Sequence, residues 1–356
     1  MGETTGEDRS EALAERVRAA AAAGEALEIV GGASKRFLGR TPRGAALEVA
    51  GHRGICSYEP TELVVTARAG TPLAELEQAL AAERQMLPFE PPHLGAAATV
   101  GGTVACALSG PRRPWAGALR DYVLGVRVLT GRGEVLGFGG QVMKNVAGYD
   151  LSRLMAGSMG TLAVILEVSF KVLPQPACEA TLAFDLDAAE ALRRVSEWGG
   201  KPHPLSAACH DGERLRVRLS GTPGGVETAC RRLGGERLEE PGFWEALREQ
   251  RLAFFAGEGP LWRVSLPPAA APLEVEAPQL IDWGGALRWL RGELDGERLR
   301  AAAAAAGGHA ALFRGGDRDG EVHHPLPAAL LAVHRRLKEA FDPQGILNPG
   351  RLYRDL

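Results

Sequence analysis

Gly140-Gln141-Val142-Met143-Lys144-Asn145-Val146-Ala147-Gly148-Tyr149-Asp150-Leu151, with Gly157-Ser158-Met159-Gly160-Thr161-Leu162 close behind, is the stretch on which the reading of the fold turns. Two glycine turns flank a short polar run, and an apolar β-rich run over 162–172 follows at once. Glycine lets a backbone approach a flat or anionic ligand with no side chain in the way. A strand that starts beside such a turn gives the loop a rigid base. A second loop, Val30-Gly31-Gly32-Ala33-Ser34-Lys35, has the composition to wrap a pyrophosphate. A third glycine-rich region holds Thr99, Val100, Gly101 and Gly102, then Ser109 and Gly110, then Arg120 and Asp121. Successive N–H groups in such turns form anion nests.

The common nucleotide signatures are missing. No GxxxxGK[ST] loop occurs, and Gly131-Arg132-Gly133 meets Leu136 where a GxGxxG motif needs its third glycine. Those two glycines fit a hairpin turn between strands at 123–129 and 135–138. The 356 residues are 45% hydrophobic and 24% charged, which suits a globular chain of two domains. A net charge of −3 excludes a generic nucleic-acid binder. No apolar run approaches the roughly 20 residues of a membrane span, and 1–10 lacks the features of a signal peptide. A cytoplasmic protein is therefore expected. Five scattered cysteines with no CxxC pair argue for reduced thiols, mostly buried, and against an iron–sulfur cluster within this chain.

Hydrophobic spacing predicts helices over 11–23 and 72–84, the second with Thr71 as its N-cap and Pro72 in its first turn. Strands are expected at 27–30 and 63–69. Leu173-Pro174-Gln175-Pro176 marks the domain boundary. Beyond it, strands are expected at 181–186, 215–219, 261–266 and 279–282. Helices are expected over 187–198, 226–233, 285–294, 301–306 and 327–341. The fold class is thus α+β: a first domain over 1–176 and, over 177–356, a smaller cap with an antiparallel sheet and helices on one face.

Gly31 to Lys35, Thr99 to Gly102, Arg120 to Gly125, Gly148 to Leu151 and Gly157 to Leu162 together resemble, in order and spacing, the vanillyl-alcohol-oxidase (PCMH-type) FAD-binding domain, built of two subdomains. Ser109 to Pro114, Gly139 to Asp150 and the C-terminal Phe341 to Tyr353 narrow the likeness to the smaller FAD-binding subunits of bacterial glycolate oxidases, from about residue 11 to the end. The resemblance implies FAD, held by the backbone at Gly31, Gly32, Ala33, Ser34 and Lys35. It implies Thr99, Val100, Gly101, Gly102, Ser109 and Gly110 along the flavin and its ribityl chain, with Asp121 also near the cofactor. Gly148, Tyr149, Asp150, Gly160 and Val164 would pack around the ribityl and adenine ends. Relatives that tether flavin carry His or Cys in the first loop or the glycine-rich second region; Ala33-Ser34 here implies non-covalent FAD, with Cys106 read as a small buried residue. Met159 and Ala163 stand where many relatives have Glu and Gly.

The resemblance further implies glycolate oxidation to glyoxylate in a complex with a larger FAD-containing subunit and an iron–sulfur subunit, which would bring the chain to the inner membrane. It also implies that the tail after 341 returns to the FAD domain. Relatives that oxidise 2-hydroxy acids carry a His-x-Gly-Asp-Gly-Asn-type motif near the C-terminus, often with a metal. Here Arg314-Gly315-Gly316-Asp317-Arg318-Asp319 puts arginine in the histidine's place. Arg314 and Arg263 are the candidates for holding a substrate carboxylate. His323, His324 and Asp317 are weighed as a metal site against a solvated loop, and no metal is expected. Two other readings stay open: an autonomous 2-hydroxy-acid (D-lactate-like) dehydrogenase, and a flavin-bearing relay or scaffold that never meets substrate.

Overall fold

The computed structural model describes residues 6–140, 150–239 and 241–356. In chain order the first half contains helix α1 (Ser10–Ala23), strands β1 (Leu27–Val30), β2 (Ala45–Glu48), β3 (Ile55–Glu59) and β4 (Val64–Arg68), then α2 (Leu73–Ala82) and β5 (Gln85–Met86). Short helices α3 (Val100–Cys106), α4 (Arg113–Ala116) and α5 (Leu119–Tyr122) follow. Next come β6 (Val123–Leu129), β7 (Val135–Gly139), α6 (Leu151–Met155), β8 (Val164–Lys171) and β9 (Leu173–Pro174). The second half runs through β10 (Cys178–Phe184), α7 (Ala188–Gly199), β11 (Leu205–His210), β12 (Leu215–Gly221), α8 (Pro223–Leu233) and β13 (Glu236–Leu238). After α9 (Phe243–Arg248) and α10 (Ala253–Ala256) it ends with β14 (Leu261–Ser265), β15 (Gln279–Asp282), β16 (Leu287–Arg291), α11 (Gly296–Ala305), β17 (His309–Arg314) and α12 (Ala328–Phe341).

Two antiparallel sheets organise these elements. One has the order β3-β4-β8-β6-β7, the other β13-β10-β12-β11-β15-β16-β14-β17. A small parallel pair, β1 with β2, stands apart and feeds the 31–35 loop. Gly131 and Gly133 lie in the expected hairpin, with Leu129 opposite Val135. The eight-stranded sheet turns one face toward the first half, where Trp283, Leu287, Trp289 and Phe313 pack with Leu38, Phe37 and Leu108.

Charged groups tie the halves together. Glu90 accepts hydrogen bonds from Arg112 Nε (3.1 Å) and from Arg218 Nη2 on β12 (2.8 Å). Burial pushes the Glu90 carboxyl up, but Arg218 and Arg112 outweigh it and hold the group below the usual carboxylate range. Glu249, after α9, accepts the backbone N–H groups of His93 and Leu94.

Several expectations give way. The 285–294 segment is not a helix: Leu287–Arg291 is strand β16, in the middle of the large sheet. Leu287 and Leu290 sit at a spacing that suits either element. Arg288, which looks like the polar side of a helix, is fully buried, its guanidinium bonded to the carbonyls of Gly285 and Ala270 (both 2.9 Å). Thr71 does not cap α2; its hydroxyl accepts the Gly54 N–H at 2.9 Å, and the helix starts after Pro72. Thr99 to Gly102 is not loop alone, because α3 begins at Val100 with Thr99 as N-cap. Strands β11 and β17 were not foreseen. Of the five free cysteines only Cys209 is buried.

The C-terminal segment lies against β1. Leu27 donates its N–H to Ile346 O (2.7 Å), and Asn348 N–H returns to Leu27 O (2.9 Å). Asp342 organises this turn: its carboxylate accepts the N–H groups of Ile346 and Leu347 and pairs with Lys338 Nζ at 2.7 Å. Lys338 also donates to Thr161 O and Leu347 O, both at 2.7 Å. Asp342 is fully buried and Lys338 nearly so. Removing one partner of a buried pair leaves the other charge uncompensated, at a cost of about 3–5 kcal/mol. Asp342→Ala should lower the urea midpoint by that equivalent at unchanged m-value; a loss under about 1 kcal/mol, the level of an exposed pair, would show that the two carbonyls suffice for Lys338.

Candidate functional site

Strand β1 delivers the chain into a loop that no β-carbon could enter at Gly32. A Cβ there would overlap the Ala97 carbonyl oxygen, and one on Gly31 would lie 2.6 Å from Thr99 Oγ1. The loop then turns through Ala33 in a left-handed conformation (φ 54°). Arg36 N–H closes back on Ala33 O and Leu38 N–H on Lys35 O. Among the described residues, the N–H groups of Gly31, Gly32, Ala33, Ser34 and Lys35 find no acceptor. Five consecutive free donors beside a cleft are the complement of an anion.

The opposite wall is α3. Its first N–H groups are already used: Val100 donates to Thr71 O (2.9 Å), Gly101 to Ala69 O (2.7 Å) and Gly102 to Thr99 Oγ1 (3.3 Å). This helix start therefore supplies a surface without side chains rather than donors. Met159, Gly160, Asn348 and Arg351 complete a cleft of about 880 Å³, counting its open mouth. Asn348 holds left-handed backbone (φ 41°), accepts the Ile29 N–H on Oδ1 (2.8 Å) and donates Nδ2 to Met159 O (2.6 Å). Arg351 bonds to the carbonyls of Arg36 and Arg40. Lys35 donates Nζ to His93 O (2.9 Å), and burial lowers its pKa. The donor set and the glycine walls fit a dinucleotide lying with its pyrophosphate on 31–35.

The residues expected at the cofactor divide. Gly31, Gly32, Ala33, Ser34, Lys35, Thr99, Gly101, Gly102 and Gly160 line this one cleft. Val100 and Val164 do not; both are fully buried in the core of the first half. Ser109 and Gly110 line a different cavity. Asp121 caps α5, accepting the Ala118 N–H at 2.9 Å, and Asp150 caps α6 through the Arg153 N–H at 3.1 Å, so both carboxylates have local work. Gly148 and Tyr149 lie outside the described residues. Cys106 is on the cleft wall rather than in the core, its thiol kept protonated by burial. Asn348 and Arg351 had no role assigned from sequence, although the Asn348-Pro349-Gly350-Arg351 run carried the signal.

The second cavity, about 390 Å³ with its mouth, lies between Ser109-Gly110-Pro111 and the inner face of the large sheet, beside Arg248, Gln250, Arg263, Asp282 and Trp283. Burial, reinforced by Arg113, lowers the Arg263 pKa to about 10. Both guanidinium groups lie over the Trp283 ring, Arg113 at 4.4 Å and Arg263 at 5.0 Å. Arg314 lines neither cavity: its guanidinium bonds to the Gln250 amide and stacks on Phe37 at 4.9 Å. Among the described residues no group of three His, Cys, Asp or Glu side chains is placed to hold a metal ion.

Burial raises the Asp282 pKa to about 7, with Glu90 adding to the rise and the backbone N–H of Trp283, Arg218 and Arg263 opposing it. A carboxyl whose folded pKa exceeds its unfolded value of about 3.9 binds its proton more tightly in the folded chain. Its stabilising contribution is complete below about pH 4 and lost as pH rises through about 7. Asp282→Asn should flatten the fall in urea midpoint across that window. A curve parallel to wild type would contradict burial as the cause.

Comparison with known proteins agrees with this geometry. Residues 8–139 match the FAD binding domain family, and residues 315–352 match the C-terminal domain of FAD linked oxidases. The chain is 50% identical over 349 residues to the glycolate oxidase subunit GlcE of Escherichia coli, covering 98% of this chain and 99% of that one. A D-lactate dehydrogenase of Archaeoglobus fulgidus is 39% identical over 140 residues, 39% of this chain and 31% of its own. The glycolate oxidase subunit GlcD of Bacillus subtilis is 33% identical over 128 residues, 36% of this chain and 27% of its own. A solved alkyldihydroxyacetonephosphate synthase shares the fold, with a TM-score of 0.67 at 16% identity over 96% of this chain and 74% of that one. No helix among the described residues is long and apolar enough to cross a membrane. The cleft is thus that of an FAD-binding domain, and the chain belongs to the GlcE family of FAD-linked oxidoreductases.

Proposed function

We propose that this chain is the FAD-bearing GlcE-type component of a glycolate oxidase complex, with residues 1–176 as its flavin domain and 177–356 as its cap. It would act beside a larger FAD-containing subunit and an iron–sulfur subunit and reach the inner membrane through them. Bound FAD supplies the hydride acceptor that turns glycolate into glyoxylate and passes the electrons onward. The chain's own part is to hold that cofactor without a covalent bond. The free amides from Gly31 to Lys35 would take the pyrophosphate, while Gly101, Gly102 and Gly160 let the rest lie against backbone. The observation that carries the reading is end-to-end identity of 50% to the Escherichia coli protein, joined to a nest of five unused amides. A second reading, an autonomous 2-hydroxy-acid dehydrogenase, draws support from Arg263, which lines a cavity and has no ion-pair partner among the described residues.

The chain titrated with FAD should bind about one flavin. Gly32→Ala should reduce occupancy at least about tenfold, because its Cβ would overlap the Ala97 oxygen. Gly137→Ala, where a Cβ meets open space, should bind as wild type. Anaerobic glycolate should bleach the flavin in the assembled complex. Bleaching in the isolated chain would favour the second reading, and absence of flavin in the wild-type chain would overturn both.

A further inference from the structure

The second cavity is lined by a cation, Arg263, and an anion, Asp282, that form no direct ion pair among the described residues. Arg263 and Asp282 share one face of the large sheet. Asp282 on β15 and Ser265 on β14 both pair with Leu287 on β16 between them, and Arg263 pairs with Trp289, two residues further along. Two strand spacings and one two-residue step put their Cα atoms roughly 12 Å apart.

Neither group has its full complement of partners. Among the described residues the half-buried Arg263 guanidinium makes no hydrogen bond or ion pair; its neighbours are the Trp283 ring, the like-charged Arg113 and, beyond ion-pair distance, Asp282. Asp282 is 4% exposed, and one oxygen accepts the Trp283 N–H at 2.6 Å. Among the described residues its second oxygen takes no hydrogen bond. A half-buried guanidinium with no direct partner is completed when an anion binds it.

Left-handed backbone at Trp283 (φ 55°), Gly284 (φ 61°) and Gly285 (φ 105°) turns the chain sharply after Asp282. The indole Nε1 of Trp283 then donates to Gly110 O at 3.0 Å. That bond ties two walls of the cavity together. Strain of this kind persists only where surrounding structure imposes it, and it clusters at functional sites.

We propose that this cavity is the 2-hydroxy-acid site of the chain: Arg263 holds the carboxylate and the free oxygen of Asp282 accepts the hydrogen bond of the 2-hydroxyl. The inference rests on the proposed glycolate reading and names the residues that would recognise its substrate. The guanidinium selects carboxylates. The Asp282 oxygen separates hydroxy acids from plain ones, because a site built to bond a hydroxyl rejects the analogue that lacks it. Walls of Leu108, Leu287, Trp289 and Phe313 keep the acid small.

The test is calorimetric titration of the FAD-loaded full chain at about pH 8, where Asp282 is ionised, with glycolate and with acetate as the analogue without a hydroxyl. Glycolate should bind about ten- to a hundredfold more tightly than acetate, the range of a hydrogen bond to a charged group. Asp282→Asn should erase most of that preference while keeping or raising acetate affinity. Arg263→Gln should weaken both acids at least about tenfold. If that variant loses its flavin, Arg263→Lys replaces it, and a glycolate affinity reduced about fivefold is expected from a point charge without the bidentate fork. Glycolate bound no better than acetate, no binding to wild type, or undiminished binding to the Arg263 variant would each overturn the proposal. Flavin content, read separately by absorbance, tells such a failure from a failure of the FAD reading.

Discussion

The contact between Gly32 and the Ala97 carbonyl is the constraint on which the site depends. Two backbones meet there with no β-carbon between them, which brings the 31–35 loop against the start of α3. The loop cannot then spend its amides on α3, because that helix has already satisfied its own first N–H groups with Thr71, Ala69 and Thr99. Nor can it pair with β2, which stops at Glu48 opposite Val30. What is left is a row of donors facing a cleft, with a positive φ at Ala33 to curve it. An anion is the chemical complement of that arrangement.

The remaining walls come from far along the chain. Asn348 reaches Ile29 and Met159 together, so a single amide fixes the strand that leads into the nest and the turn that faces it. It can do so because Asp342 and Lys338 set the course of the tail six and ten residues earlier. The last segment accordingly lines the same cleft as the 31–35 loop. The large sheet has a different task. Glu90 and Glu249 seat it on the first half, and the seam between them encloses the Arg263 cavity.

The sequence disclosed what glycine and local periodicity encode. Gly31, Gly32, Gly101, Gly102 and Gly160 could be recognised because a missing side chain has a direct backbone meaning. The resemblance that joined them named the family. Residues carried along within motifs fared less well. Val100 and Val164 sit beside cleft residues in sequence but alternate into the core. Asp121 and Asp150 were read as residues near the cofactor, and in the structure each accepts a backbone N–H at the start of its own helix, a role that sequence alone cannot separate from binding. Asn348 was hidden because its partner Ile29 is 319 residues away. The 285–294 segment misled because a buried arginine in a central strand has the polarity of an exposed helix face.

The central claim is that the amides from Gly31 to Lys35 are a cofactor nest. Hydrogen exchange of the full chain with and without FAD measures it most directly, since free amides exchange quickly and ligated ones do not. The account predicts that FAD slows exchange across 31–35 more than anywhere else, with smaller protection at 101–106 and 346–351. Exchange across 31–35 that FAD leaves unchanged, with protection elsewhere, would contradict it.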